Sequence, residues 1–310
     1  MRRLHQALLL VALIQINLNV FAYSQLVIFG DSLSDTGNHP AALLGLPYPY
    51  YQNRISNGPV AIDVLAKALG LSAANSGHLF GNGSGSNYSV SGANAAGNDP
   101  QDLSAQIQAF INRSPATLDR QALYLVMIGG NDVRDASVVD SFTQASSDVM
   151  AAVDSIQFGL QRLIQKGARS ILISNVPDIS KIPETAERAL SDPGLFSRAA
   201  QLSLDFNLRL KQRIPNLAAT PGVKIMLFDF HARFDQLISH PALYGFTNTN
   251  QACFNYDDYQ FHPQCDFEKF VFFDSIHPTA KTHSLLGQEM IRVVNSGAKA
   301  IPAVLLLLLD

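Results

Sequence analysis

Residues 25–38 read QLVIFGDSLSDTGN, and this stretch decides how the chain is interpreted. Its first four residues form a short apolar run that predicts a buried strand, and residues 30–38 are rich in turn-forming Gly, Asp, Ser and Asn. Ser32 therefore lies just past the carboxyl end of a strand, where open α/β sheets bind their ligands. Taken alone, a Gly-Asp-Ser triplet is more often an ordinary strand-to-loop turn.

The amino-acid composition excludes some classes of protein for this chain. Of the 310 residues, 47% are hydrophobic and 15% are charged, and the formal net charge is −3. The chain is long enough to bury a sizeable core, and its composition is not that of a disordered protein. Because there is no surplus of basic residues, we do not expect nucleic acid as a partner.

The first 22 residues predict a secretory signal peptide. Two arginines precede an apolar segment at residues 7–21, and the sequence VFA at residues 20–22 resembles a signal-peptidase site. A membrane anchor and a buried first helix are the alternatives, but polar residues interrupt the run before it reaches the roughly 20 apolar residues that a spanning helix needs. We expect cleavage after Ala22 and export to the periplasm or the extracellular space.

The two cysteines, Cys253 and Cys265, fit an exported protein. They lie close together in the chain, so in an oxidising compartment we expect them to form a disulfide. Two buried free thiols are the alternative.

Predicted strands and helices alternate along the chain. Apolar runs predict strands at residues 25–28, 88–90, 123–128, 171–173 and 223–228. Helical spacing predicts helices at 57–70, 103–111, 146–166, 184–213 with an interruption at 193–194, and 234–238. Because the strands are apolar throughout, we predict a single three-layer α/β/α domain over residues 23–310, with a parallel sheet of about five strands. The apolar tail at 301–309 predicts a docked terminal strand or helix, with a surface-association tail as the alternative.

A serine, an aspartate and a histidine are candidates for acyl transfer. That reaction needs a nucleophile, a base within hydrogen-bond reach, a group that orients the base, and donors for the developing oxyanion. Ser32 offers a hydroxyl, and a base must remove its proton. Near the other end of the chain, Asp274 and His277 are three residues apart, so one turn can present both. Asp-x-x-His also occurs by chance, and a lone histidine is more often a core or surface residue.

Four sequence blocks, in this order, resemble those of the GDSL lipases and esterases, also called SGNH hydrolases. The blocks are GDSL at residues 30–33, SGA at 91–93, GGND at 129–132 and DSIHP at 274–278. The resemblance spans about residues 25–296. It departs from the family at Ser91, where many relatives carry a glycine.

The resemblance implies a role for each candidate residue. Ser32 is then the nucleophile, His277 the base and Asp274 the group that orients it. The oxyanion hole would be formed by the Ser32 N–H, the Gly92 N–H and the Asn131 amide.

The predicted topology brings the same residues together independently. Ser32, Gly92 and Asn131 each follow a predicted strand at its carboxyl end, and a parallel sheet gathers these ends at one edge. Glycine suits position 92 because a backbone N–H must approach the substrate without a Cβ in the way. The sequence contains no Gly-x-Ser-x-Gly elbow, no His-Glu-x-x-His and no paired-cysteine metal pattern. We therefore expect no metal and no cofactor.

An aromatic segment suggests which alcohol group the ester substrate carries. Residues 240–273 form an insertion with no clear strand or helix, rich in Tyr and Phe with interleaved acidic residues. Aromatic faces with acidic neighbours favour a quaternary ammonium group, and we expect Tyr256, Tyr259 and Asp258 to bind it. Packing of these aromatic residues onto the domain is the alternative.

The cysteine-bracketed segment before the DSIHP block resembles a secreted bacterial subgroup of the GDSL family. That subgroup contains lysophospholipases, thermolabile haemolysin phospholipases and choline esterases. The resemblance implies a choline-bearing substrate, either a short choline ester or a lysophospholipid, with transient contact with lipid surfaces and no obligate protein partner. Two alternatives stay open: removal of acetyl groups from glycans, and a non-catalytic secreted binding protein on the same fold.

Overall fold

The computed structural model describes residues 23–81 and 83–298. The predicted signal peptide and the apolar tail at 301–309 lie outside these residues, so the boundary at residue 22 and the extent of the single domain stay predictions. Within the described residues, no helix is long and apolar enough to cross a membrane.

Four parallel strands form the central sheet, in the order β1-β2-β3-β4. They are β1 (Leu26–Gly30), β2 (Leu123–Met127), β3 (Ser170–Ser174) and β4 (Lys224–Phe228). Every residue of β1 and β2 is buried. Because successive side chains of a strand point to opposite faces, both faces of the sheet are covered. The predicted α/β sandwich is confirmed.

The sheet has four regular strands, where the sequence predicts about five. Residues 86–90, part of which the sequence predicts as a strand, run beside β1 without forming a regular strand. The Tyr88 N–H donates to Ile28 O (2.7 Å). The Asn87 side chain donates to the carbonyl of Ser34 (2.7 Å). Backbone hydrogen bonds thus join this segment to β1, and the Asn87 side chain also ties it to the loop after β1.

Helices form the outer layers. In the described residues they are α1 (Ala61–Leu69), α2 (Leu103–Arg113), α3 (Gly130–Ser137), α4 (Phe142–Lys166), α5 (Pro183–Arg188), α6 (Leu195–Ala218), α7 (Phe230–Ser239) and α8 (Ala280–Ala298). Helix α1 packs against α8, and α2, α3, α4 and α6 pack together as a second group. These two groups account for the cover on the two faces of the sheet.

Several helix boundaries differ from the prediction. Helix α4 begins at Phe142, before the predicted start at 146, because the Ser141 hydroxyl accepts a hydrogen bond from the Gln144 N–H (3.3 Å). Helix α6 continues past its predicted end and contains Pro215. Helix α7 is longer than the predicted helix at 234–238, and α3 has no counterpart in the prediction.

The insertion at 240–273 is more regular than the sequence predicts. Strand β5 (Asn248–Ala252) pairs in parallel with β8 (Phe270–Phe272), and β6 (Phe254–Asn255) pairs with β7 (Gln260–Phe261) as an antiparallel hairpin. The polar sequence of β5 carries no strand signal, so its pairing with the buried β8 defines it. The predicted disulfide joins Cys253 to Cys265 (Cα–Cα 4.8 Å) and brackets the hairpin.

Candidate active site

A continuous chain of hydrogen bonds links Ser32, His277 and Asp274. His277 Nε2 lies 2.8 Å from Ser32 Oγ, and His277 Nδ1 lies 2.8 Å from Asp274 Oδ2. Ser32 and Asp274 are buried, and His277 is partly buried. A carboxylate that holds the Nδ1–H leaves Nε2 free to accept the serine proton, which is the arrangement that a general base needs.

The position of Ser32 is set by a tight turn at the end of β1. The Asp31 carbonyl accepts hydrogen bonds from the N–H groups of Ser34 and Asp35, each at 3.0 Å. At Gly30 a Cβ would lie 2.4 Å from the Met127 carbonyl oxygen on β2. The sheet therefore requires glycine at the last position of β1, and the chain turns immediately after it.

Asp274 and His277 are fixed by a turn that precedes α8. Asp274 Oδ1 accepts hydrogen bonds from the Ile276 N–H (2.9 Å) and the His277 N–H (2.7 Å). The Phe273 N–H donates to the His277 carbonyl (2.7 Å). These bonds explain the three-residue spacing, because the aspartate must reach both the backbone and the imidazole of the histidine.

Gly92 and Asn131 border the same cleft as Ser32 and His277. Gly92 has φ +82°, and a Cβ there would meet nothing within 4 Å, so backbone conformation rather than crowding within the protein favours glycine. Asn131 lies in the first turn of α3, and its Nδ2 donates to the Ala93 carbonyl (2.9 Å). An amide nitrogen carries two hydrogens, so this bond orients the group and uses one of them.

A buried carboxylate anchors the loop that carries Gly92. The Ser91 N–H and hydroxyl both donate to Asp35 Oδ2, at 2.8 and 3.0 Å, and Asp35 is fully buried. The serine that departs from the family pattern therefore adds a hydrogen bond that a glycine would lack.

Two cavities of opposite character meet at Ser32 and His277. One is narrow, about 50 Å³, and most of the side chains that line it are apolar, among them Ile179, Ile182, Phe230 and Phe234. The other is an open cleft of about 280 Å³ with a more polar lining, including His39, Tyr50, Gly92, Tyr256 and Ser275. A ligand held at Ser32 and His277 can therefore extend into either cavity.

A larger outer groove, about 660 Å³, shares Tyr256 and Ser275 with the open cleft and lies between α5 and the insertion. Its acidic residues are Glu187, Asp257 and Asp258. Burial raises the pKa of Glu187, and the neighbouring Glu184 and Asp257 raise it further. Glu184 and Asp257 place negative charge beside the groove, although Glu184 is itself paired with Arg188.

The three residues expected to bind a cationic head group lie in different places. Tyr256 lines both the open cleft and the outer groove, and Asp258 lines the groove. The Tyr259 ring packs edge-on against Phe254, with 5.5 Å between ring centroids, and Tyr259 is not among the residues that line these two cavities.

Sequence reasoning does not single out two charged residues that border the narrow cavity, Asp31 and Arg134. Burial raises the pKa of Asp31 to about 7, although a hydrogen bond from the Leu33 N–H opposes the shift. Arg134 Nε lies 3.8 Å from Glu184 Oε2. The sequence signal for Arg134 is its position three residues after Asn131, which is one turn along α3.

Across residues 23–81 and 83–298, no group of three or more His, Cys, Asp or Glu side chains is arranged to hold a metal ion.

Two known proteins are similar in sequence to this chain over most of its length. Phosphatidylcholine-sterol acyltransferase from Aeromonas hydrophila is 29% identical over 237 residues, which cover 75% of this chain and 66% of that protein. Thermolabile hemolysin from Vibrio parahaemolyticus is 28% identical over 291 residues, covering 89% and 65%. The chain therefore spans just under two thirds of the length of these two relatives.

Solved structures give a weaker likeness. An acetylxylan esterase from Geobacillus stearothermophilus has a TM-score of 0.47 and 15% identity, with 87% of this chain and 93% of that chain covered. An extracellular lipase from Streptomyces rimosus has a TM-score of 0.45 and 16% identity, with 88% and 99% covered. Neither likeness bears on activity or substrate.

The four sequence blocks fall within a match to a family model. Residues 26–290 match the model described as GDSL-like Lipase/Acylhydrolase. Because this match covers most of the chain, the chain belongs to the GDSL-like lipase/acylhydrolase family.

Proposed function

We propose that the chain is an exported serine carboxylic-ester hydrolase that works through an acyl-enzyme on choline-bearing esters. The observation that carries the proposal is the unbroken hydrogen-bond chain from Ser32 through His277 to Asp274. Membership of the lipase/acylhydrolase family supports it. The Cys253–Cys265 disulfide supports export, because disulfides persist mainly in oxidising compartments.

In the first half-reaction Ser32 Oγ attacks the ester carbonyl carbon while His277 Nε2 takes the hydroxyl proton. The carbonyl oxygen becomes an oxyanion, for which the proposed donors are the N–H groups of Ser32 and Gly92 and the Asn131 amide. Asp274 holds the imidazole in the correct tautomer and stabilises the imidazolium. Collapse of the intermediate breaks the bond to the alcohol oxygen, and His277 returns its proton to the leaving alcohol.

In the second half-reaction a water molecule gives a proton to His277 and attacks the carbonyl carbon of the acyl-Ser32 ester. The same donors bind the second oxyanion. Collapse releases the carboxylic acid, and the proton on His277 returns to Ser32 Oγ. The cycle consumes one water and leaves the protein unchanged.

The open cleft and the outer groove suit a cationic alcohol. Tyr256 offers an aromatic face where the two cavities meet, and a cation on an exposed aromatic face gains about 0.5–1 kcal/mol. If the Asp257 or Asp258 carboxylate of the outer groove comes within about 4 Å of the cation, it adds between roughly 1 and 4 kcal/mol, depending on solvent screening. These terms together predict at least about a tenfold preference for a quaternary ammonium alcohol over a neutral one of the same shape.

A specific observation also favours a second candidate, a glycan O-acetylesterase. The outer groove is lined by four amide side chains, those of Asn250, Gln251, Asn255 and Gln260. Amides both donate and accept hydrogen bonds, which is what sugar hydroxyls require.

The test of the ester-hydrolase proposal is a matched substrate panel with Ser32→Ala as the blank. Acetylcholine is compared with 3,3-dimethylbutyl acetate, which has the same shape but no charge, and with acetylated xylo-oligosaccharides. We expect kcat/KM for acetylcholine to be at least about tenfold higher than for the neutral ester. Full turnover by Ser32→Ala would refute the serine mechanism.

Charge variants separate the two candidate substrates. The double variant Asp257→Asn, Asp258→Asn should reduce the preference for acetylcholine over the neutral ester. Asp119→Asn is the matched control, because Asp119 is exposed and precedes β2 at the amino-terminal end of the strand. Equal rates for the charged and neutral esters, with faster cleavage of the acetylated glycan, would replace the choline proposal with the second candidate.

A further inference from the structure

Buried apolar side chains form one wall of the narrow cavity beside Ser32. It lies beyond the carboxyl ends of β3 and β4, where Phe230 and Phe234 of α7 and Ile179 and Ile182 line it. The two phenylalanines are each 2% exposed, and the two isoleucines 5% and 4%. These four side chains therefore form a buried wall, and an acyl chain that enters from Ser32 meets that wall.

Polarity decides which part of an ester this cavity accepts. The open cleft has the more polar lining and is continuous with the acidic outer groove. A hydroxylated or charged alcohol placed in the narrow cavity would exchange its hydration for a lining of mostly apolar side chains, in which Asp31 and Arg134 are the charged exceptions. The apolar acyl group therefore enters the narrow cavity, and the alcohol leaves through the open cleft.

We propose that this cavity is an acyl pocket that admits only short chains, from acetyl to about pentanoyl. Its volume is about 50 Å³, and a water-sized group needs roughly 10–15 Å³ measured in this way. The pocket therefore holds about four such groups beyond the carbonyl carbon. The proposal rests on the proposed function, and within it selects short choline esters over lysophospholipids, whose long acyl chain does not fit.

The aromatic floor is itself held in place by further rings. Phe230 packs on Phe228 and Phe234, and Phe234 packs edge-on against Phe272, each with 5.7 Å between centroids. These rings are almost fully buried. Because interiors packed in this way yield little to added volume, a longer chain cannot deepen the pocket by moving one side chain.

The test uses p-nitrophenyl esters of acetic, butyric, hexanoic and octanoic acids, whose alcohol does not depend on the choline site. Each methylene that enters the pocket should raise kcat/KM about fourfold. We expect kcat/KM to rise from acetate to butyrate and to fall at least about tenfold from butyrate to octanoate. Faster cleavage of the octanoate than of the butyrate would overturn the short pocket.

Two substitutions at one wall position should move the chain-length optimum in opposite directions. Ile182→Ala enlarges the pocket by about three carbon-sized groups and should raise the hexanoate-to-butyrate ratio at least about tenfold. Ile182→Phe fills the pocket and should bring the butyrate-to-acetate ratio below one. Unchanged ratios in both folded variants would overturn the assignment of this wall.

The matched control is Ile164→Ala, because Ile164 is similarly buried, at 6% exposure, and lies in the last turn of α4 before β3 begins. It should lower thermal stability without changing the chain-length ratios. Absence of any Ser32-dependent hydrolysis in the series would refute the proposed function and this inference with it. Ser32-dependent hydrolysis with a long-chain optimum would refute the pocket alone.

Discussion

Replacing Asp35 with asparagine should uncouple the two loops that carry Ser32 and Gly92. The Asp35 carboxylate accepts five hydrogen bonds, from the N–H groups of Gly37, Asn38, His39 and Ser91 and from the Ser91 hydroxyl. The first two go to Oδ1 and the other three to Oδ2. An asparagine has only one acceptor oxygen, because its NH₂ group donates. In either orientation, at least two backbone N–H groups would face that NH₂.

The magnitude follows from the number of donors left without an acceptor. Each buried donor that loses its partner costs about 1–3 kcal/mol, so Asp35→Asn should lower the free energy of unfolding by about 2–6 kcal/mol. Ser91 adjoins Gly92, so the Gly92 N–H should also lose its fixed position. We expect kcat to fall about tenfold or more with little change in KM, which is less than the 10²–10³ that complete loss of an oxyanion donor costs.

The assay combines urea unfolding with kcat per folded molecule, at a temperature where every variant is native. Ser91→Ala removes only the hydroxyl bond and should cost about 1 kcal/mol. Asp119→Asn, at an exposed aspartate whose carboxylate accepts hydrogen bonds from the Ser24 hydroxyl and the Gln121 N–H, should cost no more than about 1 kcal/mol because water can replace a lost bond. An Asp35→Asn protein as stable as Asp119→Asn, or one that keeps full kcat, would refute this reasoning.

Three further predictions concern Asp274, Asp31 and the Cys253–Cys265 disulfide. Asp274→Asn should leave the fold intact and lower kcat by about 10⁴, because asparagine no longer holds the His277 imidazole in the correct tautomer. Circular dichroism checks the fold and steady-state kinetics checks kcat, and a loss in kcat below tenfold would contradict the proposed role of Asp274. Burial raises the Asp31 pKa from 3.8 to about 7, so the native carboxyl binds its proton more tightly than the unfolded chain does, and the protein loses stability as pH rises from about 4 to about 7. Asp31→Asn should remove that loss and be the more stable protein at pH 8. Urea unfolding at pH 5 and pH 8 checks this, and an equal change in the free energy of unfolding between the two pH values in both proteins would count against it. Reduction of Cys253–Cys265, whose sequence separation is 12, should lower the free energy of unfolding by about 3 kcal/mol, measured by urea unfolding with and without dithiothreitol; equal midpoints would contradict it.

The central sheet could be predicted because its strands are continuous apolar runs ending in turn residues. Strands β1 and β2 are buried along their whole length, so local composition identifies them. The segment at 86–90 and strand β5 could not be placed correctly in the same way, because their structure depends on partners far away in the chain. Asn87 bonds to the loop after β1, and β5 pairs with β8.

In the candidate site, too, some residues have a sequence signal and others depend on packing between distant parts of the chain. Ser32, Asp274 and His277 carry a sequence signal because the proposed roles require particular residue types, and because Asp274 and His277 are three residues apart. The cavity walls carry none. Phe230, Phe234 and Ile182 are ordinary apolar residues in the sequence, and their part in an acyl pocket depends on the packing of α7 and of the segment before α5 beyond the strand ends. The position of Arg134 at the cavity depends on helix α3, which the sequence does not predict.

Rapid-quench mass spectrometry of the protein during turnover of p-nitrophenyl acetate tests directly whether Ser32 forms an acyl-enzyme. We expect an acetyl group on the peptide that contains Ser32, formed and lost at rates consistent with kcat. The label should be absent in Ser32→Ala and retained in Ser34→Ala, the matched control, because Ser34 is fully buried and lies two residues further along the same turn. Acetylation of a different residue, or undiminished turnover by Ser32→Ala, would contradict the account.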